Sequence, residues 1–120
     1  MKTLLIAEDD AFLTNIYGKE LAREGLEIVI ASDGEETIQA IECRQPDLLL
    51  LDLLLPKIKG VDVLKHLRGK GYGFPVIILS NVNQEADRDL CETLGIAKYF
   101  VKGDTKLKQV KEEVHAILFP

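Results

Sequence analysis

Leu48–Leu51, four leucines in a row between Pro46 and Asp52, narrows the choice of fold more than any other segment. It is too short for a helix and has no polar alternation, so it reads as a strand buried on both faces. Such strands belong to parallel sheets covered by helices on each side. Leu4–Ala7, Leu26–Ala31, Val76–Leu79 and Tyr99–Val101 are short apolar runs of the same kind. Between the runs the spacing turns helical. Leu13, Ile16, Tyr17 and Leu21 mark one inner face, and Ile38 and Ile41 mark a second. Val61, Leu64 and Leu67 mark a third, Ala86, Leu90 and Leu94 a fourth, and Leu107, Val110, Val114 and Ile117 a fifth. Asp10, Asp33 and Asn83 stand where helix caps belong, Glu36 completes a capping-box pair with Asp33, and Gly25 and Gly95 mark helix ends. The pattern predicts an α/β fold: five strands alternating with five helices, doubly wound. Residues 1–120 make one domain with a single parallel sheet.

The net charge of -5 argues against direct nucleic-acid binding, which favours basic surfaces. No apolar run approaches the roughly eighteen residues of a membrane span, and Met1-Lys2-Thr3 leads into a strand rather than a signal peptide. Cys43 and Cys91 lack metal-type spacing and are expected to be buried free thiols, which implies a reducing, cytoplasmic setting. The loop Gly69–Gly73 matches no phosphate-binding glycine pattern, and His66 and His115 read as surface histidines.

In doubly wound sheets the functional groups stand just past the carboxyl ends of the strands. There the sequence places Glu8, Asp9 and Asp10 after the first strand and Asp52 after the third. Ser80 and Asn81 follow the fourth, and Lys102 follows the fifth. In the strand order 2-1-3-4-5 these ends converge. Asp10 is read as a helix cap rather than a ligand. Clustered carboxylates call for a cation, and a few hard oxygen donors suit Mg²⁺. A carboxylate can also accept a phosphoryl group, with an ammonium and a hydroxyl stabilising the transferred charge. Asp52, placed against a buried strand, is costly unless it is paired.

The segment Leu50-Leu51-Asp52-Leu53-Leu54-Leu55-Pro56, with Gly60 beyond it, resembles the phosphoacceptor signature of response-regulator receiver domains. Glu8-Asp9 resembles their acidic pair, Val76-Ile77-Ile78-Leu79-Ser80 their switch-hydroxyl strand, and Tyr99-Phe100-Val101-Lys102 the strand with the aromatic switch and the lysine. The resemblance spans the chain and implies a flavodoxin-like fold. It further implies a phosphorylation-activated switch of a two-component phosphorelay, not an enzyme beyond its own phosphorylation and slow dephosphorylation. Asp52 would take the phosphoryl group from a sensor histidine kinase or phosphotransfer protein. Glu8, Asp9, Asp52 and the Leu54 backbone carbonyl would hold Mg²⁺. Lys102 and Ser80 would contact the phosphoryl group. Ser80 and Tyr99 would relay the change to a face built from the fourth helix, fifth strand and fifth helix, read by a downstream target or output domain. The chain is expected to be either a stand-alone regulator or a piece of a longer one. Four positions depart from the family pattern: Gly103 replaces the usual proline after the lysine, Asn81 replaces the usual small residue after the hydroxyl, and Ala97 and Lys98 stand where acidic residues often precede the aromatic switch.

Three other readings compete. A small Mg-dependent phosphatase of the haloacid-dehalogenase type needs a second acid two residues after its nucleophile, and Leu54 cannot donate a proton there. A flavin-phosphate binder would find Glu8, Asp9 and Asp10 repelling its ligand. A phosphate-independent interaction module with this fold would have no use for so complete an acidic and basic set.

Overall fold

A computed structural model describes all residues 1–120. Five strands form one parallel sheet in the order β2-β1-β3-β4-β5: β1 Thr3–Ala7, β2 Glu27–Ala31, β3 Leu48–Leu51, β4 Val76–Ser80 and β5 Lys98–Val101. Between and after them run α1 Ala11–Ala22, α2 Gly34–Cys43, α3 Gly60–Gly69, α4 Glu85–Leu94 and α5 Leu107–Leu118, with one 3₁₀ turn at Lys102–Asp104.

β1 and β3 are buried along their whole length, as expected of central parallel strands. Successive side chains point to opposite faces, so these two strands feed two cores at once. Leu5, Leu49, Leu51, Val76 and Ile78 pack against Ile41 of α2, Val63, Leu64 and Leu67 of α3, and Cys91 of α4. On the other face Leu4, Ile6, Leu48, Leu50 and Ile77 meet Leu21 of α1 and Val110, Val114 and Leu118 of α5.

Asp10 caps α1 by accepting from the backbone of Phe12 and Leu13, and Asp33 caps α2 by accepting from Glu36. Gly95 ends α4 with φ 95°, a left-handed conformation that a side chain would strain.

Several expectations need correction. Gln84, not Asn83, is the residue before α4, and the Asn83 side chain accepts from Arg88 instead. Ala86 is exposed, and the buried residue of α4 is Cys91. Cys43 is exposed because α2 ends there, at the edge of the sheet's covered area. His66 is half-buried rather than a surface residue, and its Nε2 has no hydrogen-bond partner. Tyr17 is half-buried.

Candidate functional site

The strand register fixes the site. Ala7 pairs with Leu51, and Asp52 N–H donates to the Ala7 carbonyl at 3.0 Å, so Glu8 and Asp52 leave the sheet side by side. Ser80 pairs with Val101, which sets Asn81 beside Lys102. Carboxylate oxygens of Glu8, Asp9 and Asp52 all lie within 4.8 Å of one another. Glu8 and Asp52 are buried and Asp9 is exposed. The α3 end is held close. A Cβ on Gly60 would clash with the Asp52 carbonyl oxygen and lie 2.6 Å from Leu53 Cα, so only glycine lets the helix start against the strand end.

Lys102 reaches between the buried acids, its Nζ donating to Glu8 Oε2 at 2.8 Å and to Asp52 Oδ2 at 2.9 Å. Asp52 Oδ1 accepts from the Leu54 backbone at 3.1 Å, and Glu8 Oε1 accepts from the Asp10 backbone at 3.2 Å. The two acids therefore titrate differently. Burial, and the neighbouring Asp52, push Glu8 up to about 7 against the pull of Lys102. Burial would raise Asp52 too, but the Leu54 N–H, Lys102, Glu8 and Ser80 outweigh it and hold the carboxyl below its usual range. Burial works against the Lys102 charge, yet the two carboxylates keep its pKa above the ordinary lysine value. At neutral pH the charge on Asp52 is secure, and a shared proton goes to Glu8 first. Three converging carboxylates in a buried rim, hard donors with one member open to solvent, fit a magnesium ion.

Ser80 is fully buried, its Oγ accepts from Val82 N–H at 3.3 Å, and its own hydroxyl hydrogen is left to face Asp52, whose carboxyl it helps hold down. Tyr99 is 6% exposed and its hydroxyl donates to the Val82 carbonyl. Burial, and then Cys91 and Asp87, raise the Tyr99 pKa, with Arg88 opposing. Leu54 and Val82, each two residues past a site residue, line one cleft of about 270 Å³ together with Lys59, Asp62 and Asp87.

The expected residues thus meet at one end of the sheet, with Tyr99 tied to Ser80 through Val82. Two arginines were not singled out from the sequence. Arg68 donates to the carbonyls of Tyr72, Phe74, Leu94 and Gly95, joining the ends of α3 and α4 to the loop before β4. Arg88 stacks on Tyr99. Neither has a sequence signature, because both act through backbone or ring contacts set by the fold.

The sequence profile of the response regulator receiver domain family matches residues 4–115. The chain is 35% identical over 117 residues to the alkaline phosphatase synthesis transcriptional regulatory protein PhoP of Bacillus subtilis, covering 98% of this chain and 48% of that protein. It is 38% identical over 102 residues to the transcriptional regulatory protein CpxR of Escherichia coli, covering 85% of this chain and 43% of CpxR. The chain thus spans about half, or less, of the length of these relatives. The receiver domain of the Francisella response regulator 1452 superposes with a TM-score of 0.90 at 24% identity, over 98% of this chain and 96% of that one. No helix is long and apolar enough to cross a membrane. The profile match over nearly the full length, together with a sheet in the order 2-1-3-4-5 that gathers Glu8, Asp9 and Asp52 at one end, makes this chain a member of the response-regulator receiver domain family.

Proposed function

We propose that Asp52 accepts a phosphoryl group from the phosphohistidine of a sensor kinase or phosphotransfer protein, and that residues 1–120 act as one switching domain in the cytoplasm. The observation that carries this reading is the placement of Asp52: buried, held below its usual pKa, and bonded to Lys102 at 2.9 Å. An ionised carboxylate is the form that attacks phosphorus. A bond from an Asp52 oxygen to phosphorus forms as the donor's nitrogen–phosphorus bond breaks, and the freed imidazole keeps the electron pair and takes up a proton. Lys102 balances the charge on the transferred oxygens as a compact cation, and the Ser80 hydroxyl, which faces Asp52, turns its hydrogen to one of them.

Glu8, Asp9, Asp52 and the Leu54 carbonyl would hold Mg²⁺, which when bound neutralises phosphate oxygens. The chain catalyses nothing beyond its own phosphorylation and slow dephosphorylation. Once Ser80 turns to the phosphoryl group, its bond from Val82 N–H is disturbed. Tyr99, bonded to the carbonyl of the same residue, follows, and the α4-β5-α5 face changes for a downstream protein or output domain.

Incubation with acetyl phosphate and Mg²⁺ followed by intact mass tests the reading. One added phosphoryl group is expected, absent in Asp52→Asn and much reduced in Asp9→Ala. A modification that persists in Asp52→Asn would reject Asp52 as the acceptor.

A further inference from the structure

Helix α4 begins with Glu85 and Asp87 and also carries Asp89 and Glu92, and its one cation is Arg88. Four carboxylates share its helix, yet the Arg88 guanidinium makes no ion pair. It sits with its central carbon 4.8 Å from the centre of the Tyr99 ring, and its Nη1 donates to Asn83 Oδ1 at 3.3 Å. A guanidinium spends this geometry on a ring face when the ring is held still beneath it. Tyr99 is so held: it is buried, and its hydroxyl donates to the Val82 carbonyl. The N–H of the same residue, Val82, donates to Ser80 Oγ. The segment from Asn81 to Gln84 is therefore tied at both ends, through Ser80 on the strand side and through Arg88–Asn83 on the helix side.

We infer that Arg88 is a positioning residue for the switch: it clamps Tyr99 in its buried seat, and so keeps Val82 oriented to hold Ser80 with its hydroxyl facing the site. This rests on the phosphorylation reading for its consequence, though not for the clamp itself. Arg88 touches neither the carboxylates nor Lys102. Its loss therefore acts on the population of the seated state and leaves the metal site alone. An exposed cation–ring contact shifts the ratio of seated to unseated Tyr99 by roughly two- to five-fold.

The experiment uses the full chain labelled with 3-fluorotyrosine. Its three tyrosines give three fluorine resonances, and the one missing in Tyr99→Phe is Tyr99. Arg88→Met keeps the aliphatic stem and removes the charge, and Arg88→Lys restores a cation. In Arg88→Met the Tyr99 resonance should move toward the solvent-exposed position, and acetyl phosphate should modify Asp52 more slowly, by at most roughly five-fold. The Mg²⁺ midpoint should stay unchanged, and Arg88→Lys should recover part of both effects. A Tyr99 resonance that stays in place in Arg88→Met overturns the clamp. A resonance that moves with no change in rate overturns its role in the switch. If wild type takes up no phosphoryl group at all, the phosphorylation reading fails, while the resonance still decides the clamp.

Discussion

Replacing Lys102 by methionine removes one charge from the centre of the site and little volume. The ammonium lies 2.8 Å from Glu8 and 2.9 Å from Asp52, whose side chains are only 9% and 5% exposed. Without it, two carboxylates no more than 4.8 Å apart face each other. At an effective dielectric constant of about 20 that repulsion is about 3.5 kcal/mol. Breaking a buried ion pair from one side costs about 3–5 kcal/mol. Glu8 lowers the cost by taking up a proton.

Its folded pKa of about 7 already stands above the ordinary 4.5, so folding takes up a proton there. The stability linked to that proton is fully present below the unfolded pKa and is lost as the pH rises through about 7. In Lys102→Met the Glu8 pKa climbs further, and protonation becomes the only relief. The variant should therefore lose about 3 kcal/mol near pH 8.5, and about 1 kcal/mol near pH 5.5, where the proton is easily supplied. For a chain of 120 residues the larger loss lowers the melting temperature by about 12 °C. Urea titrations of both proteins in chelator at the two pH values measure it. Added Mg²⁺ should restore more stability to the variant than to wild type. An equal loss at both pH values, or none near pH 8.5, would refute Lys102 as the counter-ion of the pair.

Arg68→Met should cost about 2–3 kcal/mol in the same urea assay, because a charged donor to four carbonyls leaves with the guanidinium, and Arg68→Lys should recover less than half. Gly60→Ala should cost about 1–3 kcal/mol through overpacking against Asp52 and Leu53, and should slow modification of Asp52 because the strand end must move. Leu54, 57% exposed, and Val82 line one cleft, two residues past Asp52 and Ser80, and neither side chain has a hydrogen-bonding group to hold a water. In Leu54→Asn/Val82→Glu, decay of the phosphorylated form after donor removal should be roughly ten-fold faster or more, a barrier change of about 1.4 kcal/mol, and equal or slower decay would refute their control of the water.

The sheet was legible because its signal is local and repeated. A run such as Leu48–Leu51 has no stable place except between two layers of helices, and the change from continuous to helical spacing marks each connection. Helix faces were legible where large apolar residues recur, as in α5, and misread where they are sparse. On α4 the periodic Ala86 points to solvent while Cys91 fills the core, since one methyl group does not decide which face is buried. The Asn83 cap failed for a related reason: its amide was claimed by Arg88, a partner five residues away that no cap rule includes.

For the site, residue types after each strand were enough to name the groups, because parallel strands in register bring their carboxyl ends to one edge. What they do to each other was not legible. Sequence spacing presents Lys102 as a group waiting for phosphate, whereas the fold makes it the counter-ion of Glu8 and Asp52.

Two of the departures from the family pattern show the same limit from the other side. Asn81 and Gly103 lie far apart in the sequence and read as separate changes, one adding bulk near the acceptor and one loosening the loop after the lysine. The pairing of Ser80 with Val101 carries the chain onward so that the residues after these strands run side by side. A Cβ built on Gly103 would stand 3.9 Å from Asn81 Oδ1, in ordinary van der Waals contact. A side chain at 103 would therefore meet the Asn81 amide without displacing it. The two departures are spatial neighbours beside Lys102, a relation that their distance in the sequence conceals, yet neither one forces the other.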